Sequence, residues 1–255
     1  MKNLFDVSGK VALVTGGSRG IGEMIATGFV EAGCKVYISA RKAQVCNELA
    51  EELSKRGTCI SLPCDLGTKE GIEFLASELA KREEKLDILV NNAGAAWGEP
   101  IDEYSESGWD KVMNINLKGP FFVTQKLLPL LRKAATYEDP ARVINIASVN
   151  GIVPPELETY AYSSSKAGCI MLTRHLAGRL ARENILVNAI APGPFPSHMM
   201  RATLEAFGDE IKANNPRNRV GTPEDIAGVA IFLSSRASAY TTGATIPCDG
   251  GSAEV

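Results

Sequence analysis

The chain has 255 residues, 45% of them hydrophobic, with 27 basic and 30 acidic residues and a formal charge of -3. That length suits one α/β domain with a full core. The charges are interspersed rather than gathered into a basic stripe for nucleic acid, and no apolar run approaches the ~20 residues that span a bilayer. The opening segment MKNLFDVSGK lacks the apolar core of a secretory signal, so a cytoplasmic location is expected.

The six cysteines, Cys34, Cys46, Cys59, Cys64, Cys169 and Cys248, form no C-x-x-C pair and lie mostly in apolar surroundings, where a thiol packs as a small hydrophobe. In a reducing compartment none is expected to be bridged or catalytic. His175 and His198 have no neighbouring Cys, Asp or Glu cluster, so no metal centre is expected.

Along the chain, apolar runs at 10–15, 35–40, 59–63, 86–91, 142–147 and 185–191 read as buried strands, with 244–249 a seventh. Amphipathic stretches such as GIGEMIATGFVEAG and IEFLASELAKREEK separate them. Apolar strands joined by helical crossovers are the pattern of a parallel sheet covered on both faces. Right-handed crossovers make such a sheet doubly wound. The expectation is an α/β fold: a single Rossmann domain over 1–255, with a seven-stranded parallel sheet and helices on both faces.

The first strand runs directly into TGGSRGIG, where Gly16, Gly20 and Gly22 are spaced G-x-x-x-G-x-G ahead of a helical pattern. Glycines there permit a tight turn and let a pyrophosphate reach the free N–H groups and dipole of a helix N-terminus. The strand before and the helix after supply the context this motif requires. In chains that bind NAD, an acidic residue about 20 positions on holds the ribose 2′-hydroxyl. Here the second strand ends ISARK, with Arg41 and Lys42 in place of the acid, and Arg19 lies inside the glycine turn. Two guanidinium groups can grip a 2′-phosphate, so the expected cofactor is NADP, as NADPH.

In YAYSSSKAG, Tyr162 and Lys166 are four residues apart and share one face of a helix, while Tyr160 points elsewhere. A free phenol ionises near pH 10, so an acid–base tyrosine working near neutrality needs its phenolate stabilised by about 4 kcal/mol. A unit charge ~4 Å away supplies energy on that order at an effective dielectric near 20. Lys166 is placed to be that charge. Tyr160 has no such partner, and packing and the substrate rim are both open to it. Beyond PGPFPS, Met199, Met200, Leu204 and Phe207 give the segment an apolar face. That face suits either an adaptable surface for an apolar substrate or ordinary helix packing.

The glycine turn, NNAG at 91–94, NINLKG at 114–119, INIAS ending in Ser148, YSSSK at 162–166, APGPFPS at 191–197 and the late YTTGATIPCDGG follow one another along nearly the whole chain. In this order they resemble the short-chain dehydrogenase/reductase family. The resemblance implies hydride exchange between a nicotinamide and a small carbonyl or alcohol substrate. It makes Tyr162 the proton donor and a cofactor contact, Lys166 its helper and a ribose contact, Ser148 the hydroxyl that holds the substrate carbonyl, and Asn116 the holder of a proton-feeding water. It extends the nucleotide contacts from Gly16, Arg19, Gly20 and Arg41 to Ser18, Ile21, Asp65, Leu66, Asn92, Ala93, Gly94, Pro192, Gly193 and Ser197. Ser197 stands where the family usually has threonine, so a hydroxyl is kept. The resemblance also implies a mobile lid at about 194–216 and a homotetramer; Pro194 and Pro196 are unusual in that position and stiffen the lid's hinge, and the charge pattern and lack of a long apolar run leave no nucleic-acid or membrane partner expected. The loop RKAATYEDPAR and the FPS segment resemble, more narrowly, the rhamnolipid-type β-ketoacyl reductase branch, which implies a 3-oxoacyl thioester. Two other readings stand beside it: a non-catalytic dinucleotide sensor on the same fold, and a dehydrogenase oxidising a cyclic or sugar-like alcohol.

Overall fold

A computed structural model describes residues 3–197 and 200–253. His198 and Met199 of the expected lid lie outside them. The seven expected strands form one parallel sheet: β1 Val11–Thr15, β2 Lys35–Ser39, β3 Thr58–Ser61, β4 Ile88–Asn91, β5 Ala141–Ile146, β6 Ile185–Pro192 and β7 Thr245–Cys248. Their order is β3-β2-β1-β4-β5-β6-β7. The chain therefore winds outward from β1 to β3, crosses back to β4, and winds the other way to β7. The reversal puts a crevice beyond the carboxyl ends of β1 and β4, where open sheets of this kind bind ligands.

Helices α1 (Gly20–Glu31), α2 (Ala43–Leu53) and α8 (Pro223–Ser234) cover one face, with Ile25, Phe29, Leu53, Ile226 and Leu233 in its core. On the other face lie α3 (Lys69–Arg82), α5 (Gly119–Ala134) and α6 (Tyr160–Leu180), contributing Leu75, Leu79, Leu127, Leu131 and Leu180. Each such side chain, fully buried, contributes roughly 1.5–3 kcal/mol, and together they fix which strand ends face the crevice.

Strand ends differ from expectation by one or two residues. The third strand stops at Ser61 rather than 63, yet the backbone N–H groups of Leu62 and Cys64 still donate to the Ile38 (2.8 Å) and Ala40 (3.1 Å) carbonyls; the missing N–H of Pro63 falls on the open side of this edge strand, where a proline is tolerated. The fourth begins at Ile88 rather than 86. Asp87 is buried before it, its carboxylate accepting from the Val11 backbone N–H at 2.9 Å and from Lys85 at 2.9 Å.

The strands beneath the crevice carry a buried polar ladder. The Asn91 amide donates to Asn145 Oδ1 (2.9 Å) and to Thr124 Oγ1 (3.1 Å), and the Asn145 amide donates to Thr173 Oγ1 (2.9 Å). Asn91 faces Asn145 in the β4–β5 register. Hydrogen bonds in so dry a place lock α5 and α6 to the sheet in one register. The six thiols are unbridged. Burial pushes Cys34 and Cys59 up to about 12 and Cys46, Cys64 and Cys248 up to about 11, which keeps them as inert thiols at neutral pH.

Candidate active site

The glycine turn is stitched to the loop after β4. Thr15 Oγ1 accepts from the backbone N–H groups of Asn92 (2.9 Å) and Ala93 (3.1 Å), and the Asn92 amide donates to the carbonyls of Thr15 (2.9 Å) and Gly16 (3.1 Å). A Cβ on Gly22 would lie 2.3 Å from the Gly16 carbonyl oxygen, and one on Gly16 would lie 2.8 Å from Ala93 Cα at a φ of +63°. These two glycines are thus required by the turn itself, before any ligand arrives. Gly20 opens α1 with a φ of +57° and faces Ser197, whose Cβ is 3.1 Å from where a Gly20 Cβ would stand. So Ser197, near the start of the expected lid, packs directly against the first residue of α1.

The residue before α1, Arg19, makes no side-chain cap to the first turn. The N–H groups there remain available to an anion, which is what a pyrophosphate needs. Arg19 and Arg41 are both exposed, and among the described residues neither has an ion-pair partner. Ser18 and Leu66 are buried, while Asp65 is exposed and accepts from the Gly67 N–H at 2.9 Å. Pro192 ends β6. Gly193 follows it against Asp249, whose Cβ lies 2.7 Å from where a Gly193 Cβ would stand. The uncapped helix end, the glycine cradle and the two free cations fit a dinucleotide phosphate.

Ser148 follows β5 and caps the short turn Val149–Gly151, its Oγ accepting from the Asn150 N–H at 3.1 Å. Because that bond uses a lone pair, the hydroxyl hydrogen is left to donate to a substrate oxygen. Lys166 is buried, and its Nζ donates to the Ile146 carbonyl at 2.6 Å and lies 5.6 Å from the ring centre of Tyr162. Among the described residues its Nζ makes no other hydrogen bond, leaving two N–H groups for the phenol and a ribose. Tyr162 is half-buried on the same face of α6.

Asn116 lies in a π-helical turn, Asn114–Lys118, between α4 (Glu106–Met113) and α5. Such turns interrupt the regular ladder and recur at functional sites. The buried Asn116 side chain accepts from the Ala95 N–H (2.8 Å) and donates to the Ala95 carbonyl (2.9 Å) and Ser165 Oγ (3.0 Å). Gly94 packs against it, with a hypothetical Cβ 3.1 Å from Asn116 Oδ1. Asn114 merely opens the turn.

The sequence reading missed Gly151. A Cβ there would lie 2.6 Å from the carbonyl carbon of Lys166 and 2.8 Å from the Ala167 nitrogen. The loop that carries Ser148 therefore rests directly on the backbone of α6, and only glycine permits the approach. Gly151→Ala is expected to wedge the two apart and lower kcat at least about tenfold, since displacements of ~1 Å cost up to about a hundredfold. NADPH affinity should change by less than about threefold. Steady-state kinetics with a cofactor titration checks this, and an unchanged kcat would count against it.

Tyr160 is engaged outside the Tyr162–Lys166 pair. Its hydroxyl donates to Glu158 Oε2 at 2.7 Å, and its ring meets Tyr104 edge-on at 5.6 Å. The bond to Glu158 raises its pKa, opposite to what a proton relay near neutrality needs. Beyond the crevice, Phe195 is buried, and a Cβ on Gly221 would meet its ring at 2.3 Å. The segment between Pro194 and Pro196 is thus anchored by an aromatic plug, a feature not evident from its sequence. The helix that follows, α7 (Arg201–Ala213), kinks at Phe207, which is 56% exposed, and Leu204 is half-buried.

This fold, with a Tyr–Lys pair on one helix beside a strand-end serine and an uncapped glycine turn, is that of an oxidoreductase working on a dinucleotide. Residues 16–253 match a family model described as Enoyl-(Acyl carrier protein) reductase, and the chain belongs to the short-chain dehydrogenase/reductase family. It is 49% identical to the rhamnolipids biosynthesis 3-oxoacyl-[acyl-carrier-protein] reductase of Pseudomonas aeruginosa, over 98% of this chain and 99% of that protein. The solved RhlG/NADP active-site complex from Pseudomonas aeruginosa superposes with a TM-score of 0.95 at 49% identity, covering 99% of this chain and all of that one. The 2-dehydro-3-deoxy-D-gluconate 5-dehydrogenase of Dickeya dadantii is 37% identical over 98% of this chain and 97% of that protein.

Proposed function

We propose that the protein reduces the ketone of a 3-oxoacyl thioester to a hydroxyl group with NADPH, with Ser148, Tyr162 and Lys166 as the catalytic groups and Asn116 in support. The observation that carries this is the arrangement around Lys166: its ammonium is held by Ile146 beside the Tyr162 ring, and the loop bearing Ser148 rests on the same turn of α6. NADPH, held by the glycine turn with Arg19 and Arg41, would supply the hydride that the carbonyl carbon accepts. Ser148 donates a hydrogen bond to the carbonyl oxygen and holds it in place. Tyr162 gives its phenolic proton to that oxygen as negative charge develops there, and the Lys166 ammonium stabilises the phenolate left behind. Both N–H groups of the Asn116 amide are already engaged, so a water held by this residue binds at Oδ1 or at the main chain.

Arg19 and Arg41 favour NADPH over NADH, and both NADP structures and acyl reductases stand among the similar proteins. The exposed Phe207 and half-buried Leu204 on α7 favour an acyl chain over a sugar acid, the substrate suggested by the gluconate-type relatives. A set of 3-oxoacyl thioesters, cyclic ketones, quinones and keto sugar acids, followed by NADPH absorbance, separates these readings. The thioesters are expected to give the highest kcat/KM, and preference for a keto sugar acid would overturn the acyl assignment.

The protein is proposed to act in the cytoplasm as a homotetramer, assembled through the α5 and α6 faces and the segment around β7. Phe121, Phe122 and Met171 are exposed on α5 and α6, and Tyr240 is fully exposed before β7. Sedimentation at micromolar concentration is expected to give the tetramer mass, and a clean monomer would refute the assembly.

A further inference from the structure

Three consecutive serines separate Tyr162 from Lys166, and they have different fates. Ser163 bonds only within its own helix turn, to the carbonyls of Thr159 (3.4 Å) and Tyr160 (3.2 Å). Ser164 is exposed. Ser165 is completely buried; its Oγ lies 2.7 Å from the Tyr162 carbonyl oxygen and 3.0 Å from Asn116 Nδ2. A hydroxyl has one hydrogen, and neither an amide N–H nor a carbonyl can exchange roles. The directions are therefore fixed: Ser165 donates to Tyr162 and accepts from Asn116.

The remaining capacity of the Asn116 amide goes to Ala95, which it holds through both its oxygen and its second N–H. One chain of bonds, its central Asn116–Ser165 link buried and the others partly so, thus runs from the loop after β4, through the π-helical turn, to the main chain of the tyrosine. Among the described residues, Ser165 is the only side chain that Asn116 is bonded to.

We infer that Ser165 is a positioning residue for proton transfer, holding the first turn of α6, and with it Tyr162, in register with Asn116. It touches neither substrate nor cofactor in this role and acts through those two residues. The inference rests on the reading of Tyr162 as the proton donor.

The test is a double-mutant cycle. Ser165→Ala leaves a buried N–H of Asn116 unpaired and cuts the tie to Tyr162, so kcat is expected to fall about tenfold, the worth of one net hydrogen bond. KM and the NADPH Kd are expected to stay within about twofold. In an Asn116→Ala background, the same substitution is expected to change kcat by less than about twofold: the link from Asn116 is already gone, and the remaining Ser165–Tyr162 bond lies within one turn of α6 and no longer ties that turn to anything outside it. A purely packing role would lower kcat by the same factor in both backgrounds, and that result, or an unchanged kcat in Ser165→Ala, would overturn the inference. Ser165→Cys, close in volume with a weaker hydrogen-bonding group, covers the case in which the alanine variant does not fold. Its kcat is expected below wild type, and a wild-type value would also overturn the inference. Tyr162→Phe is run alongside. If that variant keeps full turnover, the proton-donor reading has failed; if it is inactive while the cycle is additive, only the role of Ser165 has failed.

Discussion

Tyr162→Phe is expected to lower kcat by about 10²–10⁴-fold, the usual range for removing a positioned general acid, with NADPH binding nearly intact. The substitution deletes one hydroxyl and leaves a ring of the same shape beside Lys166, so α6 and the glycine turn should be unaffected. Tyr160→Phe is the internal control. Its hydroxyl is committed to Glu158 at an exposed position, so its loss should change kcat by less than about threefold. Measuring kcat for both variants, with the NADPH Kd from fluorescence titration, decides the matter. Equal effects, or the larger effect at Tyr160, would reverse the assignment of the two tyrosines.

Arg41→Asp is expected to lower the preference for NADPH over NADH, as a ratio of kcat/KM values, by at least about tenfold. A charge-assisted hydrogen bond is worth roughly 1.5–3 kcal/mol, and each 1.4 kcal/mol is about tenfold. The new carboxylate adds repulsion to that loss. Arg19→Ala should act in the same direction but less, because it removes attraction without adding a negative charge. Arg41 is exposed, so both effects should shrink at high salt, where the Debye length falls to ~3 Å at 1 M. A preference unchanged by Arg41→Asp would remove this residue from the 2′-phosphate site.

The fold was legible because parallel strands buried on both faces are written as unbroken apolar runs, and all seven of those runs are strands. The differences lie at strand ends, where backbone pairing runs on for a residue or two past the regular ladder, as at Leu62, Cys64 and Asp87. The glycine turn and the Tyr162–Lys166 spacing were legible for a similar reason: both are local geometries, carried by contiguous residues. Contacts between distant segments were not. Nothing in VNG marks Gly151 as the point where a loop meets the backbone of α6, and YSSSK does not say which serine turns inward. Phe195 reads as part of a proline-rich hinge, although its ring is buried in the core. The double use of Asn92, which the family resemblance assigns to the nucleotide but which also pins Thr15 and Gly16, is visible only once β1 and β4 lie side by side.

The central claim is that this chain uses NADPH to reduce a carbonyl. It is tested most directly by mixing wild-type protein with NADPH and a 3-oxoacyl thioester, following cofactor absorbance and identifying the product. The account predicts loss of NADPH matched mole for mole by the 3-hydroxyacyl thioester, with NADH at least about tenfold less efficient in kcat/KM. Consumption of NADH in preference to NADPH, or no turnover while the protein binds NADPH and remains folded, would contradict it.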